Sequence, residues 1–227
     1  MIWIIFAVKL QSFSMRPFLL LAFTAFTTAA FAQDAESLPD IRNKRENFVK
    51  YPKGEIRDDL ATFALAGVDE RLGKTPLQKI PATDYTSHSI TWEGENYKVL
   101  ITTGRFEPAK HQTQYYYEKY LVKIDKKPYY GNYGKTPTTD IRSVVVIYGK
   151  DTIPVPADAY SDLFQPELIY TDEAGQARTR NGVMISADKK KLYIYMLNNE
   201  AVGHYEVTWI INDRHYAGRV VDSGLLK

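Results

Sequence analysis

The chain contains no cysteine, and that absence removes several kinds of chemistry together. Disulfide frameworks, thiolate zinc sites, cysteine nucleophiles and lipid attachment through an N-terminal cysteine all need a thiol. An excess of one charge is also lacking, since 29 Lys and Arg stand against 27 Asp and Glu. Lys9 and Arg16 are the sole charged residues before Asp34, so from Gln33 onward basic and acidic groups are equal in number. A formally neutral body speaks against nucleic acid and anionic membranes as partners. No apolar run reaches the roughly 20 residues of a membrane-spanning helix, and neither repeats nor low-complexity tracts occur. What is there, 44% hydrophobic and 25% charged residues over 227 positions, is enough for a packed core.

The N-terminus reads as an address. Met15-Arg16-Pro17 precedes an uncharged run, Phe18 to Ala32, that ends in Ala30-Phe31-Ala32. A basic start, an apolar centre and a small-x-small exit describe a secretory signal peptide, with cleavage expected after Ala32. The run includes Thr24, Thr27 and Thr28 and is too short for an anchor. Ile2 to Val8 forms a separate apolar run, so Met15 is the expected start of translation within a signal region at 1–32. The protein is therefore expected to be exported, to the periplasm or the extracellular space of a bacterium, without a stable membrane anchor after cleavage.

Residues 33–80 read as a helical segment. Asp40 to Lys50 is a weak helix candidate. Asp58 to Leu72 is a better one, with Leu60, Phe63, Ala64, Val68 and Leu72 at helical spacing and Gly73 and Pro76 closing it. From 81 to 227 the period changes to two. Ile90 and Trp92 alternate into Gly94-Glu95, and Tyr97, Val99 and Ile101 alternate out, which predicts a hairpin with Trp92 opposite Tyr97 and Ile90 opposite Val99. Val144 to Tyr148 and Asp151 to Val155 flank Gly149-Lys150, and Pro154 and Pro156 mark the second strand as an edge. Val183 to Ser186 and Leu192 to Leu197 flank a Lys-rich turn, and His204 to Ile211 and Arg214 to Val221 flank Asn212-Asp213. The expected fold is mostly β: an antiparallel β-sandwich or barrel-like fold with one or two N-terminal helices.

Few residues suggest catalysis. With Asn212-Asp213 as the turn, His204 and His215 lie about 20 Å apart along the ladder, at ~3.4 Å per residue, too far to share a metal. The same register sets Glu206 against Arg219 as a surface ion pair and turns Tyr216 and Val220 to the core with Trp209. His88 and His111 read as solvated loop residues. Thr171 to Gly175 and Asn198 to Glu200 offer oxygen atoms to calcium but read better as polar turns. Gly-x-Ser-x-Gly, His-Glu-x-x-His and phosphate-loop patterns do not occur, and no Ser-x-x-Lys nucleophile is expected. No catalytic residue, metal ligand or cofactor is assigned.

Tyrosine is the compositional excess, with 17 in the chain and Tyr115, Tyr116, Tyr117, Tyr120, Tyr129, Tyr130 and Tyr133 gathered in one short segment. Side chains alternate along a strand, so part of this set must lie outside the core. Tyrosine carries a rigid apolar body with a polar tip, which suits a protein or glycan contact. These seven residues are the candidate contact set of an exported binding or envelope-interaction module. The alternative is a secreted hydrolase acting on cell-wall or polysaccharide material through a carboxylate pair, which need be close only in space. A structural subunit with an unpaired edge strand is a third reading.

Overall fold

Alternating apolar and polar residues build two antiparallel sheets whose apolar faces meet. The computed structural model describes residues 54–60, 77–132, 134–199 and 203–223. The chain divides into units Met1–Ser37 and Leu38–Lys227, and every described residue belongs to the second. The signal region at 1–32, the Asp40 to Lys50 helix and most of the Asp58 to Leu72 helix lie outside the described residues.

A helix, α1, covers Glu55–Leu60. The first strands are β1 (Gln78–Ile80), β2 (Ala82–Tyr85), β3 (Ser89–Gly94), β4 (Tyr97–Arg105), β5 (Thr113–Tyr116) and β6 (Tyr120–Ile124). They continue as β7 (Thr139–Tyr148), β8 (Asp151–Ile153), β9 (Tyr170–Thr171) and β10 (Ala177–Arg178). The last four are β11 (Gly182–Ile185), β12 (Lys191–Asn198), β13 (Tyr205–Asn212) and β14 (His215–Ser223). One five-stranded sheet runs β1-β11-β12-β13-β14 and the other β2-β3-β4-β7-β8, while β5-β6 and β9-β10 form separate two-stranded ribbons.

The core lies between the two large sheets. Ile90, Trp92, Val99, Ile101, Val144 and Val146 from one face meet Val183, Ile194, Met196, Val207, Trp209 and Ile211 from the other. Trp92 and Trp209 are both fully buried, and each such side chain stabilises the fold by about 2–3 kcal/mol. This arrangement is a β-sandwich. In β12 all eight residues are buried. Its outward side chains Tyr193, Tyr195 and Leu197 pack with Ile210 and Val220 beneath Leu60, with Ile56 beside them.

β8 is an edge strand closed by Pro154, and its turn is Gly149-Lys150, both as expected. The expected register fails at two other hairpins. Trp92 opposes Val99 and Ile90 opposes Ile101, because Glu95 and Asn96 occupy the turn with positive φ of 53° and 66°. Two left-handed residues make the turn whose twist matches paired strands. The shift is an even number of residues, so each side chain keeps its face.

In the last hairpin the shift is odd. Asp213 and Arg214 form the turn, and a bulge at Ala217 moves β14 by one further residue. Glu206 therefore opposes Asp222, Trp209 opposes Arg219, and the expected Glu206–Arg219 pair is not formed. Val220 turns to the outer cluster and Val221 takes the core position.

Candidate functional site

The β5–β6 ribbon carries the exposed aromatic surface. Among the described residues the exposed large hydrophobic side chains are Tyr115, Tyr116, Tyr117 and Tyr120, and Tyr117 is 78% exposed. Tyr116 pairs with Tyr120 and Tyr115 with Leu121, after which Val122 is an extra residue and Gln114 pairs with Lys123. This bulge lets residues three apart in β6 share a side. Leu121 and Ile124 both turn inward to a small core with Phe106, Tyr129 and Phe164. Gln114, Tyr116, Tyr120 and Lys123 share the outward side.

The tip of the ribbon is strained. Tyr117 and Glu118 hold φ of 47° and 55°, positions that favour glycine or asparagine and cost other residues about 1–2 kcal/mol each. The Tyr117 ring meets Tyr116 edge to face, with centroids 4.2 Å apart. Behind the tip, the Tyr120 ring lies against Gly134, where an added Cβ would meet Tyr120 Cδ1 at 3.2 Å. Lys119 Nζ stands 5.1 Å from the centroid of the same ring.

The remaining candidates support the ribbon or lie elsewhere. Tyr129 is interior at 3% exposure, and its hydroxyl has the carbonyls of Leu121, Asn132 and Lys135 within 3.2–3.3 Å as acceptors for its one proton. Tyr130 is half-buried against the sandwich core. Tyr133 lies outside the described residues. The reading of His111 as merely solvated is corrected: its ring stacks on Phe106 at 4.6 Å, and Nδ1 lies 2.7 Å from Asp125 Oδ2. Asp125 Oδ1 also accepts the Gln112 amide, so the base of the ribbon is pinned. The His111 hydrogen bond holds the Asp125 carboxyl below the usual range.

A second polar cluster fills a cavity of about 210 Å³ lined by Glu55, Asp58, Asp59, Ser186, Asp188 and Lys191. Burial pushes Asp59 up, although its carboxylate accepts the Tyr193 hydroxyl at 2.6 Å. Asp188 is pulled down to about 2, first by the Ser186 hydroxyl and then by the Lys190 amide. Burial alone would lower Lys191, but hydrogen bonds from its ammonium to Glu55 and Asp188 hold it above the ordinary lysine value. Sequence reasoning assigned no residue here. One local signal was available: Ser186-Ala187-Asp188-Lys189 has the Ser-x-x-Lys spacing of some serine acyl-transfer enzymes. The geometry does not build that site, because Lys189 Nζ pairs with Glu95 and Ser186 Oγ donates to Asp188.

His204 and His215 lie at opposite ends of the β13–β14 hairpin. Asp172 spends its oxygen atoms on Ala174 N, Gln176 N and Arg178 Nε, and Asn198 Nδ2 donates to Phe164 O and Gln165 O. Among the described residues no group of three or more His, Asp or Glu is placed to hold a metal ion, and no helix is long and apolar enough to cross a membrane. Comparison with protein-family models, curated proteins and solved structures finds no match.

Proposed function

We propose that this chain is an exported binding module that contacts an envelope protein or glycan through Tyr115, Tyr116, Tyr117 and Tyr120. One observation carries the reading. The exposed large aromatics among the described residues sit together on one ribbon, and its tip holds a tyrosine in a strained conformation. Strain kept at an exposed aromatic tip is a common mark of a contact surface. Export rests on the N-terminal pattern, and N-terminal sequencing of secreted protein should read from Gln33.

The test of the contact is co-sedimentation of the purified chain with isolated envelope material. A chain carrying Tyr116→Ala, Tyr117→Ala and Tyr120→Ala should bind at least about tenfold more weakly with an unchanged urea midpoint. Equal sedimentation of both chains would overturn the reading.

The cavity favours a second reading, a hydrolase acting through a carboxylate pair. Asp59 is raised and Asp188 lowered to about 2, the separation expected of an acid and its ionised partner. The Lys191 ammonium bonded to Asp188 and Glu55, and the Ser186 hydrogen bond to Asp188, weigh against it. Release of reducing ends from peptidoglycan or polysaccharide, lost in Asp59→Asn, would support it. No release by the unaltered chain would end it.

A further inference from the structure

We infer that the ligand of the tyrosine ribbon is an acidic polysaccharide; this deepens the proposed contact surface and rests on it. The segment from Thr113 to Lys135 contains five lysines, two acidic residues and no arginine. His111 occupies Asp125, and Lys127 reaches Asp158 at 2.9 Å. Among the described residues no carboxylate lies within ion-pair distance of Lys119, Lys123, Lys126 or Lys135, which leaves Glu118 as the nearest opposing charge in the sequence of the ribbon. The segment is thus locally basic, while the rest of the chain from Gln33 carries 22 basic and 25 acidic groups.

The arrangement on the outward side is the second part of the case. Gln114, Tyr116, Tyr120 and Lys123 share that side, and Tyr117 and Lys119 stand at its end. Gly134 packs against the Tyr120 side chain, and the Lys119 ammonium lies 5.1 Å from the ring centroid. A sugar ring presents C–H groups that rest on an aromatic face, and a carboxylate on that sugar would meet an adjacent ammonium. Gln114 adds an amide that both donates to and accepts from hydroxyl groups. Lysine without arginine supplies point charges and not the planar fork that grips phosphate. Lys119 and Lys123 on the ribbon, with Lys126 and Lys135 beyond its end, are also a small footprint for a nucleic-acid backbone.

Affinity electrophoresis of the full chain tests this, in gels containing polygalacturonate, alginate or hyaluronate. Fully methyl-esterified polygalacturonate and dextran serve as uncharged controls, and a single-stranded oligonucleotide is run as a competitor. At least one acidic polymer should retard the chain, the uncharged polymers should not, and added salt should release it. Lys119→Gln with Lys123→Gln should weaken retardation by about tenfold, and Tyr120→Ala by a similar factor. Retardation by none of the acidic polymers, equal retardation by the esterified polymer, or preferential capture by the oligonucleotide would each overturn the inference. If the chain still sediments with envelope protein through its tyrosines, the contact surface stands and the polysaccharide assignment alone fails. If the tyrosine changes alter neither assay, both fail.

Discussion

Trp209 and Arg219, opposite one another on β13 and β14, donate to the same acceptor. Trp209 Nε1 lies 2.7 Å and Arg219 Nη1 2.9 Å from Ala159 O. Arg219 also grips Asp162 with both terminal nitrogens, at 2.6 Å each. The odd register of the last hairpin therefore turns an arginine inward, where it ties the 159–162 loop to the sheet.

Removing that arginine should be expensive. Arg219→Met leaves the Asp162 carboxylate largely buried with its charge partner gone, at an expected loss of about 3 kcal/mol. Arg219→Met combined with Asp162→Leu should recover most of the loss, since an apolar pair needs no partner. Urea unfolding of the single and double variants measures both, and a single variant within 1 kcal/mol of the parent, by the roughly ±0.5 kcal/mol usual for surface changes, would contradict the tie.

The ribbon tip should show a trade between stability and contact. Tyr117→Asn with Glu118→Gly places residues suited to positive φ at both turn positions and should raise stability by about 1 kcal/mol. The same change removes the most exposed tyrosine and should weaken retention on envelope material. A higher thermal midpoint with undiminished retention would separate the strain from the contact.

The base of the ribbon should loosen in acid. Asp125 has a depressed folded-state pKa, so its contribution is present above the unfolded value and is lost as pH falls through the folded one. Asp125→Asn should reproduce the loosened state at neutral pH, at a cost below about 1 kcal/mol because the group is largely exposed. Faster amide exchange confined to 112–125 is the expected readout, and unchanged exchange there would count against the pin.

Around Lys191 the expected costs are unequal. Its partners Glu55 and Asp188 reach water, whereas the lysine side chain is 7% exposed. Lys191→Met should therefore cost no more than about 1 kcal/mol, since Glu55 and Asp188, the carboxylates it bonds, stay solvated and buried Asp59 keeps the Tyr193 hydroxyl. Glu55→Gln with Asp188→Asn leaves an ammonium buried without a countercharge from either and should cost about 2 kcal/mol. Denaturant titration that ranks the two the other way would refute this account. The raised Lys191 pKa gives a stabilisation present below the ordinary lysine value and lost as pH rises through the folded one.

How much of this was legible in the sequence depends on the period of the signal. Alternation is a property of neighbouring residues, so the core faces of β3, β4, β12 and β13 could be read from Trp92, Val99, Ile194 and Trp209. Register depends on the turn, and at Glu95-Asn96 and Asp213-Arg214 the left-handed residues include Glu and Arg, which advertise no such conformation. The bulge at Ala217 is marked in the sequence only by the in-strand Gly218 beside it, yet it decides where Arg219 and Val220 point. The tyrosine cluster was visible as composition. Its division into exposed Tyr115, Tyr116, Tyr117 and Tyr120 and interior Tyr129 is set by packing against Phe106, Leu121, Ile124 and Phe164, which composition does not show. The Asp59–Asp188–Lys191 cluster joins distant parts of the chain, and the Ser-x-x-Lys spacing at Ser186 points to acyl transfer and not to this meeting.

β12 has no side turned to water. A strand with one wet face offers every second position for neutral sequence drift; this one offers none, because changes at Tyr193 or Tyr195 are felt as fully as changes at Ile194 or Met196. Random substitution should therefore find few tolerated replacements along Lys191 to Asn198 and many along the ribbon. New binding preferences can then arise at the tyrosine tip while the sandwich beneath it stays nearly fixed.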